Sequence, residues 1–281
     1  MKVLSQDPGP IGVFDSGYGG LTVLRELRKQ LPQYDYLYLG DNARAPYGTR
    51  SFDVVYRYTR QAVAYLFQQG CQLVILACNT ASAKALRTIQ QNDLPQWDAQ
   101  RRVLGVIRPT AEAVGLLTQT GHVGILATSG TILSQSYELE IQKLHPRLKV
   151  VGQACPLWAT LVENFETDSP GAEYFVGKDL HSLLSQDALI DTVILGCTHY
   201  PLLLPLLEKL TPKDIRLINQ GKYVSLSLQD YLQRHPEMER RCTKHGSCRY
   251  LTTESPSVFD ATASHFMDAH IESRHTDLNT D

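Results

Sequence analysis

The sequence predicts an α/β protein of two pseudo-symmetric domains, each a parallel sheet flanked by helices, with an active site at their interface. Three observations carry that prediction. Val74-Ile75-Leu76-Ala77-Cys78-Asn79-Thr80 reappears as Val193-Ile194-Leu195-Gly196-Cys197-Thr198-His199. Ile11-Gly12-Val13-Phe14-Asp15-Ser16 resembles Val123-Gly124-Ile125-Leu126-Ala127-Thr128; Gly12 lies 112 positions before Gly124, and Cys78 lies 119 before Cys197. Short continuous apolar runs alternate with helical patterns, as in parallel sheets covered on both faces.

The elements follow in order. Ile11–Phe14, entered from Gly9-Pro10, reads as a buried strand, followed by the glycine turn Gly17-Tyr18-Gly19-Gly20 and a helix over Leu21–Gln30. Tyr36–Leu39 is a second strand. Asp53–Gln69 is a helix with apolar residues at 54, 55, 58, 62, 63, 66 and 67. Leu73–Ala77, a helix over Ala81–Gln90 and a strand at Val103–Ile107 complete the first series. The pattern restarts with a strand at Val123–Leu126, a helix near Ser134–Leu144, a strand at Val150–Ala154, a helix over Gly171–Leu184 and the strand Thr192–Leu195. Strands at Ile215–Ile218 and Arg249–Thr253, with helices near Ser225–Arg234 and Ser257–Met267, form a last segment that carries no cysteine motif of this kind. The expected organisation is a first domain over 1–107, a second over 108–214, and a return segment over 215–281 that completes the first. Residues 272–281 are polar and expected to be mobile.

A chain of 281 residues, 43% hydrophobic, fits one large domain or two modest ones. Its formal net charge of −2 gives no reason to expect a nucleic-acid or acidic-membrane partner. The N-terminus lacks the apolar core of a signal peptide, and the aliphatic runs fall far short of the ~18 residues of a membrane span. A cytoplasmic protein is expected. Six scattered cysteines argue against a disulfide framework. Cys242-Thr-Lys-His245-Gly-Ser-Cys248 offers three soft ligands without a second CxxC, so a reduced surface loop is the better reading than a metal site.

Ligands of such sheets bind beyond the carboxyl ends of strands, and the repeated motifs all lie at such ends. A lone cysteine there reads as a small hydrophobe. Two in matched motifs read as a pair of acid/base groups, one from each half, able to add a proton on one face of a carbon and remove it from the other. A free thiol is mostly protonated at neutral pH, so a working base needs help. Helix N-termini after the cysteines can supply it, and His199 and Asp15 are plausible partners. Gly17-Tyr18-Gly19-Gly20 competes as a dinucleotide loop, but the third glycine position holds Thr22 and an acid at the strand tip would face a pyrophosphate. His199 reads as a helper or as a packing histidine. Ser16, Asn79, Thr80, Thr128, Thr131 and Thr198 read either as contacts to substrate carboxylates or as ordinary caps. Tyr47-Gly48 could close over a ligand, and Glu163 is a pocket carboxylate or a solvated helix charge.

With those motifs assembled, the chain resembles the cofactor-independent aspartate/glutamate racemase superfamily, and within it the glutamate racemases. The resemblance runs from Ile11 to about Phe266. It rests on Phe14-Asp15-Ser16-Gly17-Tyr18-Gly19-Gly20-Leu21, on Gly40-Asp41 through Pro46-Tyr47-Gly48, on Ala77-Cys78-Asn79-Thr80-Ala81 and on Leu195-Gly196-Cys197-Thr198-His199-Tyr200-Pro201. It implies Cys78 and Cys197 as the acid/base residues, Asp15 and His199 as their respective helpers, and Glu163 as a further pocket carboxylate. It places Asp15-Ser16, Tyr47-Gly48, Asn79-Thr80 and Thr198-His199 around the substrate. It implies interconversion of L- and D-glutamate for peptidoglycan synthesis, hence a role in cell-wall biogenesis and cell shape. No motif for pyridoxal phosphate, metal or nucleotide stands out, so no cofactor is expected, and glutamate is the expected small-molecule partner. The alternatives are an aspartate-type racemase and a non-catalytic amino-acid-binding regulator of the same fold. The oligomeric state stays open, a homodimer among the alternatives. The chain departs from the family pattern at Arg108 and Thr110, the second commonly Gly. Ala159-Thr160 replace a frequent Val-Pro, and Asn219-Gln220-Gly221 stand where an Asp-containing segment is common.

Overall fold

The computed structural model describes residues 4–278. Among these, two parallel sheets form the frame. The strands are β1 (Ile11–Asp15), β2 (Tyr36–Gly40), β3 (Leu73–Leu76), β4 (Arg102–Gly105), β5 (His122–Ala127), β6 (Lys149–Ala154), β7 (Thr192–Gly196), β8 (Arg216–Ile218), β9 (Cys248–Thr252) and β10 (Ser273–His275). The first sheet runs β10-β9-β2-β1-β3-β4 and the second β6-β5-β7-β8. The order β2-β1-β3-β4 is thus repeated as β6-β5-β7-β8. The repeat extends to register: Gly12 pairs with Val74, and Gly124 with Val193. Each cysteine lies four residues beyond the strand residue so paired, so the two thiols occupy equivalent positions in the two sheets.

The central strands β1, β2, β3 and β7 are buried at every position, as continuous apolar runs require. Helices close both faces. Those over Phe52–Gln68 and Pro170–Leu184 are capped by Ser51 and Ser169, whose side chains accept from Val54 N and Ala172 N; such caps contribute about 1 kcal/mol each. One apolar cluster runs through both lobes, taking in Leu24 and Leu27, Leu195 and Leu203, and Val224 and Leu228 of the helix Gln220–Arg234. That helix packs on Gly20–Gln30 of the first lobe and on Ile107–Val114.

Several expectations change. Residues 216–218 pair with β7, so the second sheet extends past 214 and the return to the first sheet begins after Ile218. The return itself is β9 alongside β2, with β10 beyond it. The expected strand at Val103–Ile107 stops at Gly105, and Ile107–Val114 is a helix. Pro109 sits in its first turn, where the missing N–H is one of the unpaired donors anyway. The expected helix over Ala81–Gln90 is instead a string of helical turns from Asn79 to Trp97, with a π turn at Ile89–Asp93. Within the tail expected to be mobile, Ser273–His275 form β10, and 279–281 lie outside the described residues. Cys242, expected in a surface loop, is buried, its thiol directed to Met238 O; His245 pairs with Asp35 at 2.7 Å.

Candidate active site

The carboxyl ends of β1, β3, β5 and β7 converge on one cavity of about 360 Å³. It is lined from the first lobe by Ser16, Tyr47, Gly48, Cys78, Asn79 and Thr80, and from the second by Thr128, Glu163, Cys197, Thr198 and His199. One thiol comes from each sheet, and each is 6% exposed. A larger cleft of about 830 Å³ lies elsewhere, bordered by Phe52, Arg87, Arg108, Leu139 and Lys143; it contains no cysteine.

The two thiols have different surroundings. Cys78 caps the helix Asn79–Lys84, its Sγ accepting from Ala81 N at 3.4 Å, with Ser16 Oγ also at 3.4 Å. Burial, and next the charge of Asp15, push the Cys78 thiol up to about 12, against the pull of Ser16 and Ala81. At rest it is a neutral thiol. Cys197 Sγ lies 3.7 Å from His199 Nδ1, and His199 Nε2 lies 2.7 Å from Glu163 Oε1. Burial opposes charge on His199, but the hydrogen bonds to Cys197 and Glu163 outweigh it and raise the imidazole well above its ordinary value. With Nε2–H donated to Glu163, Nδ1 can take a proton from Cys197 or return one.

Packing holds these groups in place. Glu163 ends the helix Trp158–Glu163. Trp158 is fully buried, its Nε1–H donates to Asp179 at 3.0 Å and its ring packs on Tyr200 at 4.8 Å. His199 meets the edge of Phe266 at 5.6 Å, and Phe266 stacks with Tyr18 at 6.0 Å. The return segment therefore covers the imidazole. Tyr47 donates to buried Asp41, which also holds Arg44 Nε at 2.7 Å and accepts from Thr253 Oγ1 at 2.9 Å. Gly48 O accepts from Gly130 N at 2.8 Å, tying this loop to the second lobe. Thr80 and Thr128 join the lobes hydroxyl to hydroxyl at 2.9 Å.

Not every expected residue faces the cavity. Asp15 is fully buried beneath it, accepting from Gly17 N at 2.9 Å and from Thr198 Oγ1 at 3.4 Å. Burial raises its pKa, with the His199 charge acting the other way. The side chain in hydrogen-bond contact with Cys78 is Ser16, not Asp15. Thr131 lies behind Thr128, 3.1 Å away, and does not line the cavity. The Asn79 side chain is held by Gln220 and Tyr137. Sequence reasoning missed Asn42, Ser129 and Glu254 on the lining. Glu254 arrives on the return segment, where no repeated motif marks it. The lining includes Glu163 and Glu254 and no Lys or Arg among the described residues. An anionic ligand would therefore rely on hydroxyls, backbone N–H groups and the His199 charge.

Gly19 tests this geometry. Its φ of −56° is ordinary, but a Cβ there would lie 2.2 Å from Thr198 Oγ1 and 2.5 Å from His199 Nδ1. Gly19→Ala is expected to displace both side chains and lower activity by about 10²-fold, the scale of a 1 Å misplacement. Near wild-type kcat/KM in that variant would refute the contact.

A sequence profile of the Asp/Glu/Hydantoin racemase family matches residues 11–222. The chain is 40% identical to a glutamate racemase of Streptococcus suis over 273 residues, covering 97% of this chain and 100% of that protein. Its fold is similar to a crystal structure of a glutamate racemase from Bacillus anthracis, with TM-score 0.88 and 36% identity over 97% of this chain and 99% of that one. A Francisella tularensis glutamate racemase solved in complex with D-glutamate gives TM-score 0.84 and 32% identity, covering 97% and 99%. The repeated sheets, the shared cavity and these likenesses together place the chain in the Asp/Glu/hydantoin racemase family.

Proposed function

We infer that this protein interconverts L- and D-glutamate, supplying D-glutamate for peptidoglycan synthesis. The observation that carries this reading is one thiol from each of two equivalent sheets on a single small cavity. The relatives that share the fold over nearly the whole chain are glutamate racemases.

In one direction a thiolate removes the α-proton from one face while the opposite thiol donates to the other, and each turnover leaves the pair in the opposite protonation state. The neutral state of Cys78 suits it to donate while Cys197, helped by His199 and Glu163, abstracts. On reversal Cys78 must become the base. The hydrogen bonds from Ser16 and Ala81 N favour its thiolate, while the Asp15 charge keeps the thiol protonated and makes the thiolate a stronger base once formed. The α-carbon is weakly acidic without an electron sink, so stabilisation rests on preorganised donors and exclusion of water. The hydroxyls of Ser16, Thr80 and Thr128 and the backbone N–H groups of Tyr47, Gly48 and Thr198 supply those donors, and His199 adds its charge. Asn79 contributes through its position at the start of the helix behind Cys78, and Thr131 by orienting Thr128. The unpaired state of the cysteines suits a reducing cytoplasm; no helix among the described residues is long and apolar enough to cross a membrane.

Circular dichroism of the purified protein with L-glutamate, then L-aspartate, and no added cofactor tests the reading. The expected result is loss of ellipticity with L-glutamate, unaffected by EDTA, and little change with L-aspartate. Faster racemisation of L-aspartate would favour an aspartate-type enzyme, and inertness toward both a binding protein.

A further inference from the structure

The reaction inferred above needs two thiols held across one carbon, each reacting atom about 3–3.5 Å from it. Behind the cavity, a closed ring of neutral side chains joins the two thiol loops. Asn79 follows Cys78, and Tyr137 packs against Gly196, the residue before Cys197: a Cβ on Gly196 would lie 3.3 Å from Tyr137 Cε2. The Tyr137 hydroxyl donates to Asn79 Oδ1 at 2.7 Å. Asn79 Nδ2 donates to Gln220 Oε1, also at 2.7 Å. Gln220 Nε2 closes the ring by donating to the Tyr137 hydroxyl, and it also donates to Thr110 Oγ1 at 3.2 Å. Asn79, Tyr137, Gln220 and Thr110 are all buried, none more than 3% exposed. Thr110 and Gln220 are two of the positions at which this chain departs from the family pattern, and they touch each other.

We propose that Gln220 is a positioning residue for the two-thiol reaction: by holding the Asn79 amide against Tyr137, it fixes the separation of the Cys78 and Cys197 loops across the cavity. The inference rests on the racemase reading above. The ring spans both lobes, since Asn79 follows β3, Tyr137 lies on the helix Ser136–Leu144, and Gln220 opens the helix after β8. Thr110 Oγ1 donates its proton to Val106 O and so accepts from Gln220 Nε2, which sets the direction of the ring, and a fully satisfied buried network holds one geometry. No member carries a formal charge, so the spacing is independent of pH across the working range. If Gln220 only filled space at the interface, its loss would lower stability and leave the chemistry alone.

Gln220→Met and Tyr137→Phe in the full chain separate these cases. Methionine keeps the length of glutamine without its polar atoms, and Tyr137→Phe keeps the ring, so the second variant decides if the first does not fold. Expected are KM values for both enantiomers within about twofold of wild type, because substrate binding is retained. kcat should fall by about 10–10²-fold, as displacement of a reacting group demands, with larger primary isotope effects on α-deuterated glutamate. A second readout needs no activity. Dibromobimane, followed by peptide mapping, measures how fast Cys78 and Cys197 are cross-linked. Cross-linking should slow in both variants while iodoacetamide alkylates each thiol at the wild-type rate. Wild-type kcat with unchanged cross-linking and only a lower Tm would overturn the proposal, as would a raised KM at unchanged kcat. If the wild-type protein racemises neither amino acid, the functional reading fails, and cross-linking still decides whether Gln220 sets the spacing.

Discussion

Cys78→Ser and Cys197→Ser are each expected to abolish racemisation, lowering kcat by at least about 10³-fold, within the range a positioned acid–base group supplies. A serine hydroxyl is a far poorer base than a thiol near neutral pH, and each turnover uses both groups. The loss should therefore be as complete in one direction as in the other. Each variant should still exchange the α-proton with solvent on its intact face, so wash-in of deuterium would be confined to one enantiomer. In the wild type, alkylation of either thiol should inactivate, and bound glutamate should slow it. Because burial and Asp15 push the Cys78 thiol up to about 12, its alkylation rate should climb with pH through 10 without a plateau. Near-normal racemisation in either serine variant would exclude the two-thiol mechanism.

The second large effect concerns the helpers. His199→Asn removes the group 3.7 Å from Cys197 and leaves Glu163 without its partner. Asp15→Asn removes a buried carboxyl that raises the Cys78 pKa. Each is expected to lower activity by about 10²–10⁴-fold without unfolding the protein. Equilibrium fixes the ratio of forward to reverse kcat/KM, so the asymmetry must appear elsewhere. The family resemblance implies that Cys197 takes the proton from L-glutamate and Cys78 from D-glutamate. In primary isotope effects, His199→Asn should therefore enlarge the effect with α-deuterated L-glutamate, and Asp15→Asn that with D-glutamate. Identical changes in both variants with both enantiomers would remove the assignment of one helper to each thiol. The observed contacts sharpen this test. His199 Nδ1 lies against Cys197 Sγ, whereas Asp15 bonds to Gly17 N and Thr198 Oγ1 and not to Cys78, so Asp15→Asn should have the smaller effect.

The parts of this molecule that could be read from sequence are those written in local periodicity or written twice. The strands ending at Asp15, Ala127 and Gly196 announce themselves as apolar runs before small polar residues, and repetition doubles the signal for Cys78 and Cys197. Elements that depend on distant partners were not legible. β8 is three residues long and could join either sheet on pattern alone; its ladder with β7 decides the matter. The helix Ile107–Val114 was hidden because Arg108-Pro109 follows an apolar strand, and proline reads as a breaker unless it falls in a first turn. The same holds for the site. The Cys197–His199 pair is two residues apart and was visible. Ser16 beside Cys78, Glu254 on the lining and the bonds of Asn79 to Tyr137 and Gln220 span 58 residues or more. No local pattern encodes such pairings.

The pairing of β2 with β9 bears on how the protein emerges from the ribosome. Tyr36–Gly40 is fully buried, yet one whole edge of it bonds to Cys248–Thr252, which is translated more than two hundred residues later. The second sheet, by contrast, lies within a continuous stretch from His122 to Ile218 and can close on itself as soon as that stretch is free. Synthesis order and folding order are therefore opposed: the lobe made first is the one completed last. Until β9 arrives, the nascent chain presents an apolar strand with an open hydrogen-bonding edge, the kind of surface that captures other strands. Slowed elongation before residue 248 would prolong that exposure, and a chaperone that shields the β2 edge would have its greatest effect in that interval.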